Sequence, residues 1–196
     1  MLQNKESVTF MKDIKINRAQ QHFIDALLNL MKEKPFHKIT IHELSQVAEY
    51  DRRTYYRYFE TKEDVLLLYC SVILQDMSQA MKSHLPLTPR GGIMDYFIFW
   101  KQYQPFLTLL SQNGLLPFLE QKHSKMLYEI VGKSVQPDIP NDIDAASVLS
   151  RYSYYFMVGG LWQILIGWIA SGMEESPHVL TECILTLFEE LPQFER

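Results

Sequence analysis

Cysteine is scarce in this 196-residue chain: Cys70 and Cys183 stand alone, with no Cys-x-x-Cys spacing. That excludes a disulfide framework, and two free buried thiols in a reducing cytoplasm are the simple reading. The six histidines (22, 37, 42, 84, 123, 178) fall in no metal-ligand pattern, so neither a metal nor another cofactor is expected. His84 and His123 read as solvated or capping residues. A glycine-rich phosphate loop and a Gly-x-Ser-x-Gly elbow are both missing. Glu174-Glu175 and Glu189-Glu190 are charge pairs at helix ends rather than carboxylates facing across a cleft. These absences argue against an enzyme. No segment alternates with period two in β-branched residues, which leaves an all-helical chain. The N-terminus lacks the apolar run of a signal peptide, and residues 1–15 read as a flexible arm, either simply mobile or lying along a polyanion.

Basic excess is also lacking. The formal net charge is −4, with 47% hydrophobic and 21% charged residues, an ordinary globular composition. The deficit is uneven: residues 1–80 carry 11 Lys/Arg and 11 Asp/Glu, while residues 81–196 carry 8 and 12. A local cationic cluster can therefore serve a polyanion while the acidic remainder discourages other modes.

Such a cluster is present between Lys38 and Glu63. Thr40 followed by Glu43 has capping-box spacing, and Ile41, Leu44, Val47 and Ala48 form one apolar stripe. Asp51 is a good N-cap for a second short helix, which places Glu49 and Tyr50 in the turn. Tyr55 and Phe59, four apart, share an inward face. Arg52, Arg53, Thr54, Tyr56 and Arg57 are left outward, with donors and flat side chains suited to phosphates and base edges. Arg57 is also open to an ion pair with Glu60 or Glu63, and Tyr58 to plain packing.

The stretch from about Ile16 to Tyr69 resembles the N-terminal DNA-binding domain of TetR-type transcriptional regulators. The resemblance rests on a first helix (Arg18 to Lys34), on Phe36-x-x-Ile-Thr-Ile, and on Leu44-x-x-x-Ala48. It continues through Arg-Thr-Tyr-Tyr-Arg-Tyr-Phe (Arg53 to Phe59) and Lys62-Glu63, the start of a fourth helix. It implies an N-terminal three-helix helix-turn-helix domain and a C-terminal helical domain for ligand binding and dimerisation. The boundaries follow as 16–62 and 63–196. By the family pattern Tyr56 and Lys62 clamp the DNA backbone, Thr40 and Thr54 meet phosphates, and His42 is a minor reader from the preceding helix. Arg52 and Arg53 are candidate base-edge readers, since Arg pairs bidentately with guanine. One departure stands out. The family usually has a small residue, typically Gly, where this chain has Glu49, so a differently shaped turn is expected.

Beyond the motif, helices are expected at about 62–84, 93–102, 105–112, 115–133, 143–171 and 177–191, with breaks at Leu85–Gly92 and Gln136–Asn141. Tyr152 to Met173 carries no charge and could cross a bilayer by length. Ser153, Gln163, Ser171 and four glycines in that run speak against a membrane and for a core helix, or for one that also meets a second subunit. In TetR-type regulators the last two long helices dimerise, which here implies a homodimer through about 143–171 and 177–191. The pattern from Gly160-Leu161 to Ser176-Pro177 also resembles the subgroup that regulates dihydroxyacetone-kinase operons. A two-fold dimer reads a near-palindromic operator. The aromatics of residues 81–196 are open to two readings, plain core or an apolar pocket for a small apolar or aromatic effector. Trp100, Tyr103, Phe118, Tyr155, Trp162 and Gln163 are the pocket candidates. The expectation is a cytoplasmic repressor released from its operator by that effector. The alternative is a partner-binding co-activator that keeps the fold without a small-molecule ligand.

Overall fold

The computed structural model describes residues 14–84, 88–135 and 145–190, all of them in helices or short connections without a strand. The 1–15 arm and the Gln136–Asn141 break lie almost wholly outside these residues. The helices are α1 (Arg18–Glu33), α2 (Ile41–Val47), α3 (Arg52–Tyr56), α4 (Lys62–Ser83), α5 (Pro89–Gln102), α6 (Gln104–Gln112), α7 (Leu116–Val135), α8 (Ala145–Ala170) and α9 (Pro177–Glu190), with a 3-10 turn at Phe36–Lys38.

Each start has a chemical cause. Asn17, Thr40 and Thr61 open α1, α2 and α4 with full capping boxes, satisfying N–H groups that have no partner within the helix. Thr88 caps α5 by accepting the Gly91 N–H, and Pro89 fills a first-turn position that needs no donor. Thr88 to Gly92, read from composition as part of a break, is therefore the opening of a helix.

α1 buries Phe23, Ile24, Ala26, Leu27, Leu30 and Met31 against α2, α3 and the start of α4, and each such large side chain stabilises the fold by about 1.5–3 kcal/mol. α4 begins in this head and continues into the body, where Cys70, Ile73, Leu74 and Met77 pack chiefly against α7. Head and body thus share one continuous core. Val47 is a correction to the predicted apolar stripe: it is 47% exposed, while Leu44 and Ala48 are buried.

Three helices end in one pattern. After α2, Glu49 N–H bonds Gln46 O and Tyr50 N–H bonds Ser45 O; after α6, Gly114 and Leu115 repeat this onto Ser111 and Leu110; after α8, Gly172 and Met173 repeat it onto Ile169 and Trp168. The pattern requires a left-handed residue at the first of each pair. The φ angles are 60°, 67° and 79° at Glu49, Gly114 and Gly172. The turn before α3 thus keeps the left-handed shape that favours glycine, with a glutamate forced into it.

From Val158 onward α8 is apolar on every face but for Gln163. Val158, Leu161, Trp162, Leu165, Trp168 and Ile169 face the core, while Tyr152, Tyr155 and Phe156 are exposed at 59%, 52% and 66%. Among the described residues no helix is long and apolar enough to cross a membrane.

Candidate nucleic-acid interface

α3 is only five residues long, so it owes its position to anchors rather than to helix propensity. Asp51 accepts the Thr54 N–H at 2.6 Å, and this bond holds its carboxyl below the usual range. Tyr55 is fully buried, and it and Phe59 meet Phe23 at ring separations of 5.2 and 5.9 Å. These contacts fix the inner face. The outer face then carries Arg52, Arg53, Tyr56 and Arg57, all exposed, with Thr54 half-buried beside them. None of the three arginines joins an ion pair among the described residues. The Arg57 guanidinium lies 5.2 Å over the Tyr58 ring and donates to Thr54 Oγ1 at 3.5 Å, so the alternative pairing with Glu60 or Glu63 is not formed. Tyr58 is half-buried between this guanidinium and Phe59.

Thr40 and His42 are exposed at the first turn of α2. The Thr40 hydroxyl accepts the Glu43 N–H and donates to Glu43 Oε2 at 2.9 Å. Lys34 Nζ meets the other Glu43 oxygen at 2.5 Å, and this contact, with help from Thr40, brings the Glu43 carboxyl down to about 2. Lys62 is placed unexpectedly. Its ammonium donates to the carbonyls of Phe36, His37 and Ile39 at 2.8, 3.1 and 2.9 Å and sits 4.9 Å over the Phe36 ring. All three of its donors are used inside the protein. The N–H of Phe36 is taken from the other side by Asn113 Oδ1 at 2.7 Å. The linker into the helix-turn-helix is thereby gripped by the first residue of α4 and the last turn of α6.

Two family models match this chain: bacterial regulatory proteins of the tetR family over residues 23–69, and a transcriptional regulator C-terminal region over residues 88–190, more than half its length. The chain belongs to the TetR family. The first match contains α2, α3 and the outward arginines, so the helix-turn-helix is the DNA-binding unit of a TetR-family transcriptional regulator. Solved structures agree in fold. The fatty acid degradation regulator FadR from Bacillus halodurans matches with a TM-score of 0.61 at 16% identity, over 89% of this chain and 96% of that one. FadR from Bacillus subtilis, in complex with stearoyl-CoA, gives 0.52 at 18%, over 85% and 96%. The dihydroxyacetone kinase operon activator DhaS gives 0.51 at 16%, over 86% and 93%. A search of curated proteins finds no match.

In the body of this TetR-family chain, the pocket candidates divide. Trp100 and Trp162, at most 2% exposed, come together through His123, at ring separations of 5.8 and 4.9 Å. Tyr103 and Phe118 are half-buried, Tyr103 stacking on Phe99 at 5.0 Å. Tyr155 and Gln163 are exposed on α8 rather than interior. His123 corrects the solvated reading: it is fully buried, its Nε2 lies 3.0 Å from the Tyr96 hydroxyl, and desolvation lowers its pKa to about 3. The signal was in the sequence, since Leu119, His123, Met126 and Leu127 share one helical face. Asn113 was also missed, although Asn113-Gly114 after an apolar helix marks a left-handed C-terminus.

Proposed function

We propose that this TetR-family regulator is a homodimeric repressor that reads a near-palindromic operator and is released by a small, largely apolar effector. The observation that carries the DNA half is the outward face of α3: Arg52, Arg53 and Arg57, exposed and without ion pairs, on a helix clamped from behind by Tyr55 and Phe59. In this reading Arg52 and Arg53 meet base edges, and Thr54, Tyr56 and Thr40 meet phosphates, with His42 at the margin. Lys62 supplies charge beside the backbone while holding the linker.

The dimer is supported by the outer surface of α8 and α9. Phe156, Leu187 and Phe188 are exposed at 66%, 58% and 44%, and with Gly160, Ile164 and Ile184 they line a wholly apolar groove of about 190 Å³. A Cβ built on Gly159, Gly160 or Gly167 would meet nothing within 4 Å, so this face of α8 is open to a second backbone. An exposed apolar patch of this kind marks an interface. The effector half rests on the aromatic interior and on one neighbour of the same fold, FadR of Bacillus subtilis, having been solved with stearoyl-CoA. Effector binding shifts the population toward a dimer whose reading helices no longer match both half-sites. The activator DhaS, of the same fold, favours one second reading, in which the same site activates rather than represses.

Selection of random duplex DNA by the purified protein over a salt series tests the proposal. A palindromic consensus whose affinity falls steeply with salt, and is lost in the Arg52→Ala/Arg53→Ala variant, is expected. No enriched sequence would refute it and favour a partner-binding co-activator.

A further inference from the structure

Four rings from three helices meet in the centre of the body: Tyr96 and Trp100 of α5, His123 of α7 and Trp162 of α8. The His123 ring lies 5.6, 5.8 and 4.9 Å from those of Tyr96, Trp100 and Trp162, and none of the four is more than 2% exposed. Their hydrogen-bonding capacity does not balance. The one bond formed within the group is Tyr96 Oη to His123 Nε2, at 3.0 Å. Among the described residues His123 Nδ1 and Trp162 Nε1 are buried without a partner, and the Trp100 indole N–H makes only a weak, poorly aligned contact with the Tyr96 hydroxyl. An indole is a donor only, and a neutral imidazole carries one N–H. If the Tyr96 hydroxyl donates to Nε2, the unmatched groups are three N–H donors. With the other tautomer they are the Tyr96 O–H, two indole N–H groups and one lone pair. Donors are in surplus either way, and a buried donor left unmade is costly. Phenylalanine or leucine would fill the same space without that cost.

From this surplus we infer that the Tyr96–Trp100–His123–Trp162 cluster recognises the oxygen of a flat, uncharged, mostly apolar molecule, a carbonyl compound in class. The inference rests on the effector half of the preceding proposal and names the chemistry of its ligand. Flatness follows from the walls, which are two indoles, a phenol and an imidazole. Absence of charge follows from the surroundings. The two lysines nearest in sequence are committed elsewhere: Lys122 Nζ to Ser71 Oγ and the Leu67 carbonyl, Lys101 Nζ to the Met173 carbonyl. Neither ammonium is free to meet a carboxylate that sheds its water on entering the cluster, whereas a carbonyl oxygen accepts N–H groups without that penalty. The rings already touch, so the ligand inserts by parting α8 from α7, where Trp162 meets His123, and this supplies the movement the regulator needs.

The chain contains a built-in control. Its three tryptophans are Trp100, Trp162 and Trp168, and the Trp168 indole N–H is already bonded to the Glu175 carbonyl at 3.1 Å. The experiment follows the three indole N–H signals of ¹⁵N-labelled full-length protein during titration with acetophenone, benzoate and ethylbenzene, three flat molecules differing in acceptor and charge. Acetophenone is expected to move the Trp100 and Trp162 signals at a concentration at least tenfold below either other probe, leaving Trp168 in place. Trp162→Phe should weaken acetophenone about tenfold, with the Trp168 signal reporting an intact fold. Benzoate or ethylbenzene acting at equal concentration would overturn the inference. So would signals that no probe moves, which would assign the donors to buried water. No DNA is present, so the outcome is independent of whether the operator reading stands.

Discussion

Substituting Glu49 by glycine is expected to stabilise the protein by about 0.5–1 kcal/mol, although it removes a side chain and adds no contact. Three helix ends close with the same pair of hydrogen bonds. Gly114 and Gly172 take the left-handed position after α6 and α8, and Glu49 takes it after α2 with φ 60°. Left-handed backbone costs a residue with a Cβ about 1–2 kcal/mol. Glycine loses roughly 0.5–1 kcal/mol more on folding, because its unfolded chain is freer. The difference leaves the stated gain, or roughly 1–4 °C in melting temperature for a chain of this length. The mirror substitution is Gly114→Ala. A Cβ there meets nothing within 4 Å, so sterics do not enter and backbone strain alone should cost about the same amount. Urea unfolding of the three proteins measures both effects as shifts in midpoint at constant slope. An unchanged or lower midpoint for Glu49→Gly, with Gly114→Ala neutral, would show that φ does not govern these turns.

Three further outcomes are expected. The folded pKa of His123, about 3, lies below its ordinary 6.5. The unfolded chain therefore takes up a proton that the folded one refuses, and stability is full above pH 6.5 and falls toward pH 3 by about 1.4 kcal/mol per unit within that window. His123→Phe should remove this component, and equal pH slopes of urea-derived stability for the two proteins would refute it. Lys62→Met leaves three carbonyls without their ammonium and should cost about 1.5–3 kcal/mol, measured by the same unfolding; an unchanged midpoint would show that the grip is idle. Phe156→Glu puts a charge into the exposed groove of α8 and α9 and should yield monomers in sedimentation, with the helix content kept; a persistent dimer would place the interface elsewhere.

Periodicity made most of the helices legible beforehand, and capping chemistry placed the starts of α2 and α3 through Thr40 with Glu43 and through Asp51. The equally complete caps at Asn17 and Thr61 went unread. α5 was harder: Thr88-Pro89-Arg90-Gly91-Gly92 has the composition of a loop, and only the Thr88 cap turns it into a helix start. The outward arginines of α3 could be read from four-residue spacing alone. What could not be read was partnership across distance. Nothing local says that Lys62 is consumed by carbonyls some 25 residues earlier, or that Asn113 reaches the linker. His123 was misjudged for a related reason: a titratable side chain was assigned to solvent when its neighbours at 119, 126 and 127 placed it in the core.

The two-sided grip on Phe36 also orders events in time. Lys62 reaches it across 26 residues of chain and Asn113 across 77. The head is complete once residue 62 has been synthesised, while the hold from α6 waits for Asn113, about another full length of head. Closing the longer loop loses more chain entropy, so the Asn113 bond is the last of the two to form and the first to open. Amide exchange at Phe36 accordingly follows undocking of the head from the body, whereas exchange at Tyr55, deep among the aromatic anchors, follows unfolding of the head itself.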